Sequence, residues 1–130
     1  MQGEAAFRID GWEESSYSEV EGGGKLTRVR VTKSYTGDVE GQGKLEYLMV
    51  NDESGSAEFF GLERVTGRVG DSEGSFVLRH TGSFVGGRME QKSRVVPGSG
   101  TEGLSGLQGE WSQSAGHEQE YPFQFDLEWN

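Results

Sequence analysis

Apolar and polar residues alternate with a period of two along most of the chain. The runs are Ala5, Phe7, Ile9; Val29, Val31, Tyr35; Leu45, Tyr47, Met49; Phe76, Leu78, Phe84; and Tyr121, Phe123, Phe125, Leu127, Trp129. Successive side chains of a strand point to opposite faces, so each run predicts a strand with one buried face. Apolar positions at three-and-four spacing are always interrupted by glycine before a helix could complete itself, which leaves no amphipathic helix.

Turn clusters separate the runs at Asn51–Gly55, Gly70–Gly74, Gly86–Gly87, Pro97–Gly103 and Ser114–Gln119, with a glycine-rich loop at Glu21–Gly24. Roughly eight strands result, joined mostly by short connections, and short connections make sequential strands antiparallel neighbours. A meander with one apolar face hides its edges best by closing on itself. The expectation is an all-β fold, a closed eight-stranded antiparallel up-and-down barrel, forming a single domain over residues 1–130.

Composition changes this picture little. Apolar residues make up only 32% and charged residues 26%, but the seven Phe, four Tyr and three Trp recur at intervals that a disordered chain would not supply. The 22 glycines have no collagen period and only two prolines accompany them, so they belong to turns and strand kinks.

Charge and cysteine content narrow the partners. A formal net charge of −10 repels polyphosphate and anionic headgroups, which argues against nucleic-acid and membrane partners and favours a neutral or cationic small molecule. With no cysteine, a disulfide framework, a thiolate zinc site and a cysteine nucleophile are all excluded. Met1–Asp10 lacks a basic start followed by an apolar run, and no stretch has the length and apolarity of a membrane span, so a cytoplasmic location is expected. His80 and His117 lie far apart without metal-ligand spacing, and Pro97–Thr101 matches neither a nucleophile elbow nor a phosphate loop, so neither metal nor cofactor is expected. Glu13, Glu14, Glu19 and Glu21 read as a solvated acidic run.

The candidate chemistry comes from folding the hairpins on paper, because a turn centre fixes which side chains stand opposite each other. Centring one turn on Asp71–Ser72 pairs Glu63 with His80, Val65 with Leu78, Gly61 with Gly82 and Phe59 with Phe84. A Gly86–Gly87 hairpin sets His80 opposite Ser93 and Gln91 opposite Gly82; a loop over Asn51–Gly55 sets Tyr47 opposite Phe59; a turn near Glu40 sets Lys33 opposite Tyr47. Lys33, Tyr47, Glu63, His80, Gln91 and Ser93 then share the inward face. A carboxylate that orients an imidazole can move protons near neutral pH, with Tyr and Lys as donors, and Gly61 and Gly82 leave room for substrate. The competing reading is a satisfied polar cluster that plugs a small barrel.

Nearly the whole chain resembles the uncharacterised bacterial family called domain of unknown function 3224. The likeness is carried by Leu26–Met49 (LTRVRVTKSYTGDVEGQGKLEYLM), Gly61–Gly67 (GLERVTG), Ser75–Phe84 (SFVLRHTGSF), Val95–Glu110 (VVPGSGTEGLSGLQGE) and the stretch from Tyr121 (YPFQFDLEW). That family looks like the allene oxide cyclase and dirigent barrels, whose glycine turn is echoed at Gly98–Thr101 and Leu104–Gly109. The resemblance implies an eight-stranded barrel, often homo-oligomeric, with a cavity for a hydrophobic small molecule, and it implies no particular reaction. The combined expectation is a small-molecule-binding barrel, in its enzymatic form an isomerase or cyclase. Glu63 and His80 are its acid/base pair and Lys33, Tyr47, Gln91 and Ser93 its polar lining. The alternative is a non-catalytic binding or interaction module with a plugged interior.

Overall fold

A computed structural model describes all 130 residues. Eight antiparallel strands make up one ring-like sheet: β1 (Gln2–Val20), β2 (Gly24–Gly37), β3 (Val39–Asn51), β4 (Ala57–Val69), β5 (Ser72–Val85), β6 (Arg88–Val95), β7 (Leu107–Ala115) and β8 (Tyr121–Trp129). Each strand pairs with the next, and β1 returns to pair with β8. The sole helical element is a 3-10 turn at Glu102–Leu104, and no helix is long and apolar enough to cross a membrane.

The alternation foreseen in the sequence is the in-and-out alternation of the sheet. Phe7, Val29, Val31, Tyr35, Leu45, Tyr47, Phe76, Leu78, Phe123, Phe125 and Leu127 are all buried. At the rims the pattern relaxes: Ile9, Met49 and Phe84 are only half-buried and Trp129 is exposed.

Inward glycines stand opposite aromatic residues across the ladder, among them Gly3 with Phe125, Gly61 with Tyr47 and Gly82 with Phe59. A Cβ at Gly82 would lie 2.6 Å from Phe59 Cζ, and one at Gly61 would lie 2.9 Å from Tyr47 Cδ1. The missing side chains therefore let the opposing rings lie down over the neighbouring strand. This corrects the expectation that Gly61 and Gly82 leave room for substrate, because the rings already fill it.

The two ends of the ring differ. At one end the segment between β6 and β7 folds across the opening. Ser99 Oγ accepts the Val77 N–H (3.0 Å) and donates to the Val96 carbonyl (2.6 Å), Thr101 Oγ1 accepts the Ser75 N–H (3.0 Å), and Leu104 is buried beneath. Ser99 is thus a turn residue that satisfies backbone groups. A continuous core of Val39, Val65, Val69, Phe76, Leu107 and Leu127 fills this half, with further apolar residues packed onto it.

At the other end the strands outrun their partners. β1 pairs with β8 only over Gln2–Phe7 but follows β2 as far as Val20, so its second half borders the opening. A bulge between Ile9 and Gly11 inserts Asp10 as an unpaired residue. An extra residue shifts the pleat by one and exchanges the faces beyond it. Trp12 and Glu14 consequently pair with the inward residues Val31 and Val29.

Candidate functional site

A layer of polar side chains divides the packed half from the open half. Lys33, Glu63, His80, Gln91 and Ser93 are all at least 95% buried, and Tyr47 is buried with them. All six residues expected to face inward therefore do so.

Their pairing differs from the paper hairpins in a systematic way. β5 and β6 pair as expected, His80 with Ser93 and Gly82 with Gln91. Elsewhere the partners are displaced by two or four residues. Glu63 pairs with Leu78, and His80 with Gly61; Tyr47 pairs with Gly61; Lys33 pairs with Gly43. The β4–β5 turn centres on Gly70–Asp71, where Gly70 supplies a positive φ of 59°, and not on Asp71–Ser72. The β2–β3 turn centres on Asp38 and not near Glu40. An even displacement preserves the face, so the inward set survives the error.

Glu63 and His80 still meet, along the diagonal of the ladder, where long side chains reach. Glu63 Oε1 accepts hydrogen bonds from His80 Nε2 (2.6 Å) and Lys33 Nζ (3.1 Å), and its Oε2 accepts one from the Tyr35 hydroxyl (2.6 Å). Gly43 makes this possible, since a Cβ there would collide with Glu63 Oε2. Tyr35 was read from the sequence only as an apolar position; the signal for its role was the pair of glycines, Gly41 and Gly43, on the inward face of β3, which marks a close approach.

Burial, the largest influence on the Glu63 carboxyl, pushes its pKa up. Lys33, His80 and Tyr35 together outweigh burial and bring it down to about 2. Burial also lowers the pKa of His80, against the opposing pull of Glu63. Near neutral pH the pair is therefore carboxylate and neutral imidazole. Because Glu63 can only accept, the His80 proton sits on Nε2, and Nδ1 accepts the Ser93 hydroxyl at 2.8 Å. Both ring nitrogens are then satisfied within the protein. Burial and the Glu63 charge raise the pKa of Tyr35 and Tyr47, which keep their protons.

Above this layer lies a cavity of about 810 Å³, within the range of small-molecule sites. Its floor includes Lys33, Tyr47 and Gln91, and its walls are mainly apolar and aromatic, among them Ile9, Trp12, Phe59 and Met89. Glu63, His80 and Ser93 stand behind the floor and do not line it. The Tyr47 hydroxyl donates to Gln91 Oε1 (2.7 Å) and holds that amide in place. Lys33 Nζ lies 4.0 Å from the centre of the Phe7 ring, a cation–π contact that helps to keep the ammonium inside.

Sequence reading missed two parts of the rim. His117, which the sequence places in the Ser114–Gln119 turn cluster, lines the mouth with the rest of the β7–β8 loop. Trp12 also lines the mouth, 45% exposed, its indole N–H donating to Glu14 at 2.7 Å. Trp111 by contrast is core, stacked on Phe123 with ring centres 4.8 Å apart. No three His, Cys, Asp or Glu side chains are grouped to hold a metal ion.

The profile of the family described as protein of unknown function DUF3224 matches residues 3–127. The chain belongs to that family. One solved relative, a DUF3224 protein of unknown function from Shewanella oneidensis MR-1, is 25% identical and superposes with a TM-score of 0.79. That comparison covers 100% of this chain and 99% of the other. No curated protein matches the chain. Membership of DUF3224 fixes the fold lineage and carries no named activity.

Proposed function

We propose that this DUF3224 protein is a small-molecule-binding barrel of the allene-oxide-cyclase-like kind, acting in the cytoplasm on a hydrophobic compound that lodges in its open half. The observation that carries this reading is the cavity itself. A large apolar void costs stability when nothing occupies it, because its lining atoms lack contact partners. Here that void sits above a polar floor whose groups are held in place from behind. The isomerase or cyclase form of the reading makes Lys33 the group that meets the ligand. Glu63 and His80 then set the charge and position of Lys33 from behind, as the acid/base pair of the site, with the Ser93 hydroxyl donating to His80 Nδ1.

A neutral fluorescent probe, N-phenyl-1-naphthylamine, tests the binding reading. Saturable binding at one probe per chain is expected, abolished by Met89→Trp, which fills the mouth, and unchanged by Leu62→Ser on the outer wall. Binding that survives Met89→Trp, or no binding at all, would sink the proposal.

A specific observation also supports the interaction-module alternative in its homo-oligomeric form. Leu48, Phe60 and Leu62 lie side by side on the outer face of β3 and β4, with Phe60 and Leu62 both 58% exposed. Charges of both signs surround them, Arg28, Arg30 and Lys44 with Glu13 and Glu46. A second copy across a two-fold axis would bring each apolar centre against its twin, with acids facing bases. Sedimentation velocity should show a dimer that Phe60→Ser converts to monomer; a monomer at all concentrations in the parent chain would refute it.

A further inference from the structure

We propose that the open-half cavity selects an uncharged molecule whose polar head is a hydrogen-bond acceptor, such as the carbonyl of a ketone or aldehyde, carried on an aromatic or alicyclic body. This deepens the binding reading and rests on it.

The argument begins with what the floor has left to offer. Gln91 Oε1 is taken by the Tyr47 hydroxyl, while Gln91 Nε2 makes no hydrogen bond within the protein and is not among the buried unpartnered atoms. Since Gln91 lines the cavity, its two N–H groups are open to an occupant. Lys33 Nζ donates to Glu63 Oε1 and rests against the Phe7 ring, but an ammonium has three N–H groups. The Tyr47 proton is already committed. Among the polar groups of the floor, Lys33 Nζ, the Tyr47 hydroxyl and Gln91 Oε1 each have a partner already, and the one group with none is a donor, Gln91 Nε2, whose complement is an acceptor.

Charge then separates acceptors from one another. The Lys33 cation is balanced by Glu63 at 3.1 Å, and His80 is neutral, so the layer beneath the cavity carries no net charge. A carboxylate head would bring a second anion to a cation already claimed, inside a poorly solvated space. It would also approach past Glu14 and Glu118 at a mouth whose one arginine, Arg8, is paired with Asp10 at 3.1 Å, into the field of a chain with net charge −10. An ammonium head would meet a row of donors and the Lys33 cation. A neutral carbonyl avoids both costs and accepts from Gln91 Nε2. The body follows from the walls, where Trp12 lies 6.5 Å and Phe59 5.0 Å from the Tyr47 ring, centre to centre. Those rings favour a flat or ring-shaped partner over a long flexible one.

The test titrates four compounds that share one body, 2-acetylnaphthalene, 2-naphthoate, 2-naphthylmethylammonium and 2-methylnaphthalene, into the full chain near neutral pH, by calorimetry or quenching of tryptophan fluorescence. The ketone is expected to bind at least about tenfold more tightly than the carboxylate or the amine, the equivalent of about 1.4 kcal/mol. It should also bind more tightly than the headless hydrocarbon. Gln91→Glu keeps an acceptor for the Tyr47 hydroxyl while replacing the free donor by a carboxylate. It should erase the ketone's advantage over the hydrocarbon and improve the amine. Tighter binding of naphthoate or of the amine to the parent chain would overturn the inference while leaving the binding reading intact. So would equal binding of ketone and hydrocarbon, or a ketone preference that survives Gln91→Glu. Failure of all four to bind would overturn the binding reading itself.

Discussion

Glu63→Gln is expected to destabilise the fold by about 3–5 kcal/mol, the cost of leaving one partner of a buried ion pair uncompensated. The magnitude follows from where Lys33 is held. Its ammonium is buried, its one carboxylate partner is Glu63, and the neighbouring His80 and Tyr35 offer donors, not acceptors, to a cation. Removing the negative charge leaves Lys33 with a neutral amide oxygen and the Phe7 ring, and with no counter-ion. Lys33→Met should cost less, because Glu63 keeps hydrogen bonds from His80 and Tyr35. The Lys33→Met/Glu63→Gln double variant should be more stable than Glu63→Gln, a non-additivity diagnostic of direct coupling. Urea unfolding of the four chains measures this. A Glu63→Gln loss within about 0.5 kcal/mol of zero, the usual size of a surface substitution, would mean the charge layer does not hold the interior together.

The same layer sets the response to acid. The Glu63 pKa is lowered from 4.5 to about 2 on folding, so the unfolded chain takes up its proton first. The stability from this carboxylate is complete above its unfolded value and is lost as pH falls from 4.5 through about 2. His80 is also lowered from 6.5, and its contribution declines as pH falls below that unfolded value. Both groups act in the same direction, so the fold weakens progressively on acidification from slightly acidic pH downward.

How much of this was legible in the chain depended on parity. The face of each strand is a two-residue property, and Lys33, Glu63, His80 and Gln91 reveal it by sharing parity with Val31, Val65, Leu78 and Val95 of their own strands. Register needs the turn centre as well. Only Gly86–Gly87, where both residues take positive φ (61° and 78°), marks its turn without ambiguity, and that hairpin alone was placed correctly. At Gly70–Asp71 and around Asp38, several centres of equal parity suit the same turn chemistry. The contact between Glu63 and His80 survived because a glutamate and an imidazole span the diagonal, whereas a pair of short side chains would have been lost. The bulge at Asp10 falls in Ile9-Asp10-Gly11, and an Asp-Gly pair suits a turn as well as a bulge, so the turning of Trp12 to the mouth was not read from it. The hollow half was equally hidden, since it arises from β1 and β8 differing in length, 19 residues against nine.

That division of the interior predicts unequal answers to the same substitution. Phe123 and Phe59 are buried almost alike, 5% and 8% exposed, so area alone assigns them equal weight. Their neighbours differ. Phe123 stacks on Trp111 at 4.8 Å, meets Tyr35 edge-on at 6.1 Å, and lies 6.3 Å from Phe7 and 6.0 Å from Phe125. Phe59 has one aromatic neighbour, Tyr47 at 5.0 Å, and its other side faces the cavity. A void opened inside a closed cluster removes contacts on every side, and Phe123→Ala should cost about 3–5 kcal/mol. Phe59→Ala enlarges a space that already exists, forfeits contacts on one side only, and should cost about 1–2 kcal/mol. Denaturant midpoints compared at matched slopes decide the matter. Equal losses would mean that the open half is packed as tightly as the closed half, and the ligand cavity would have to be given up with it.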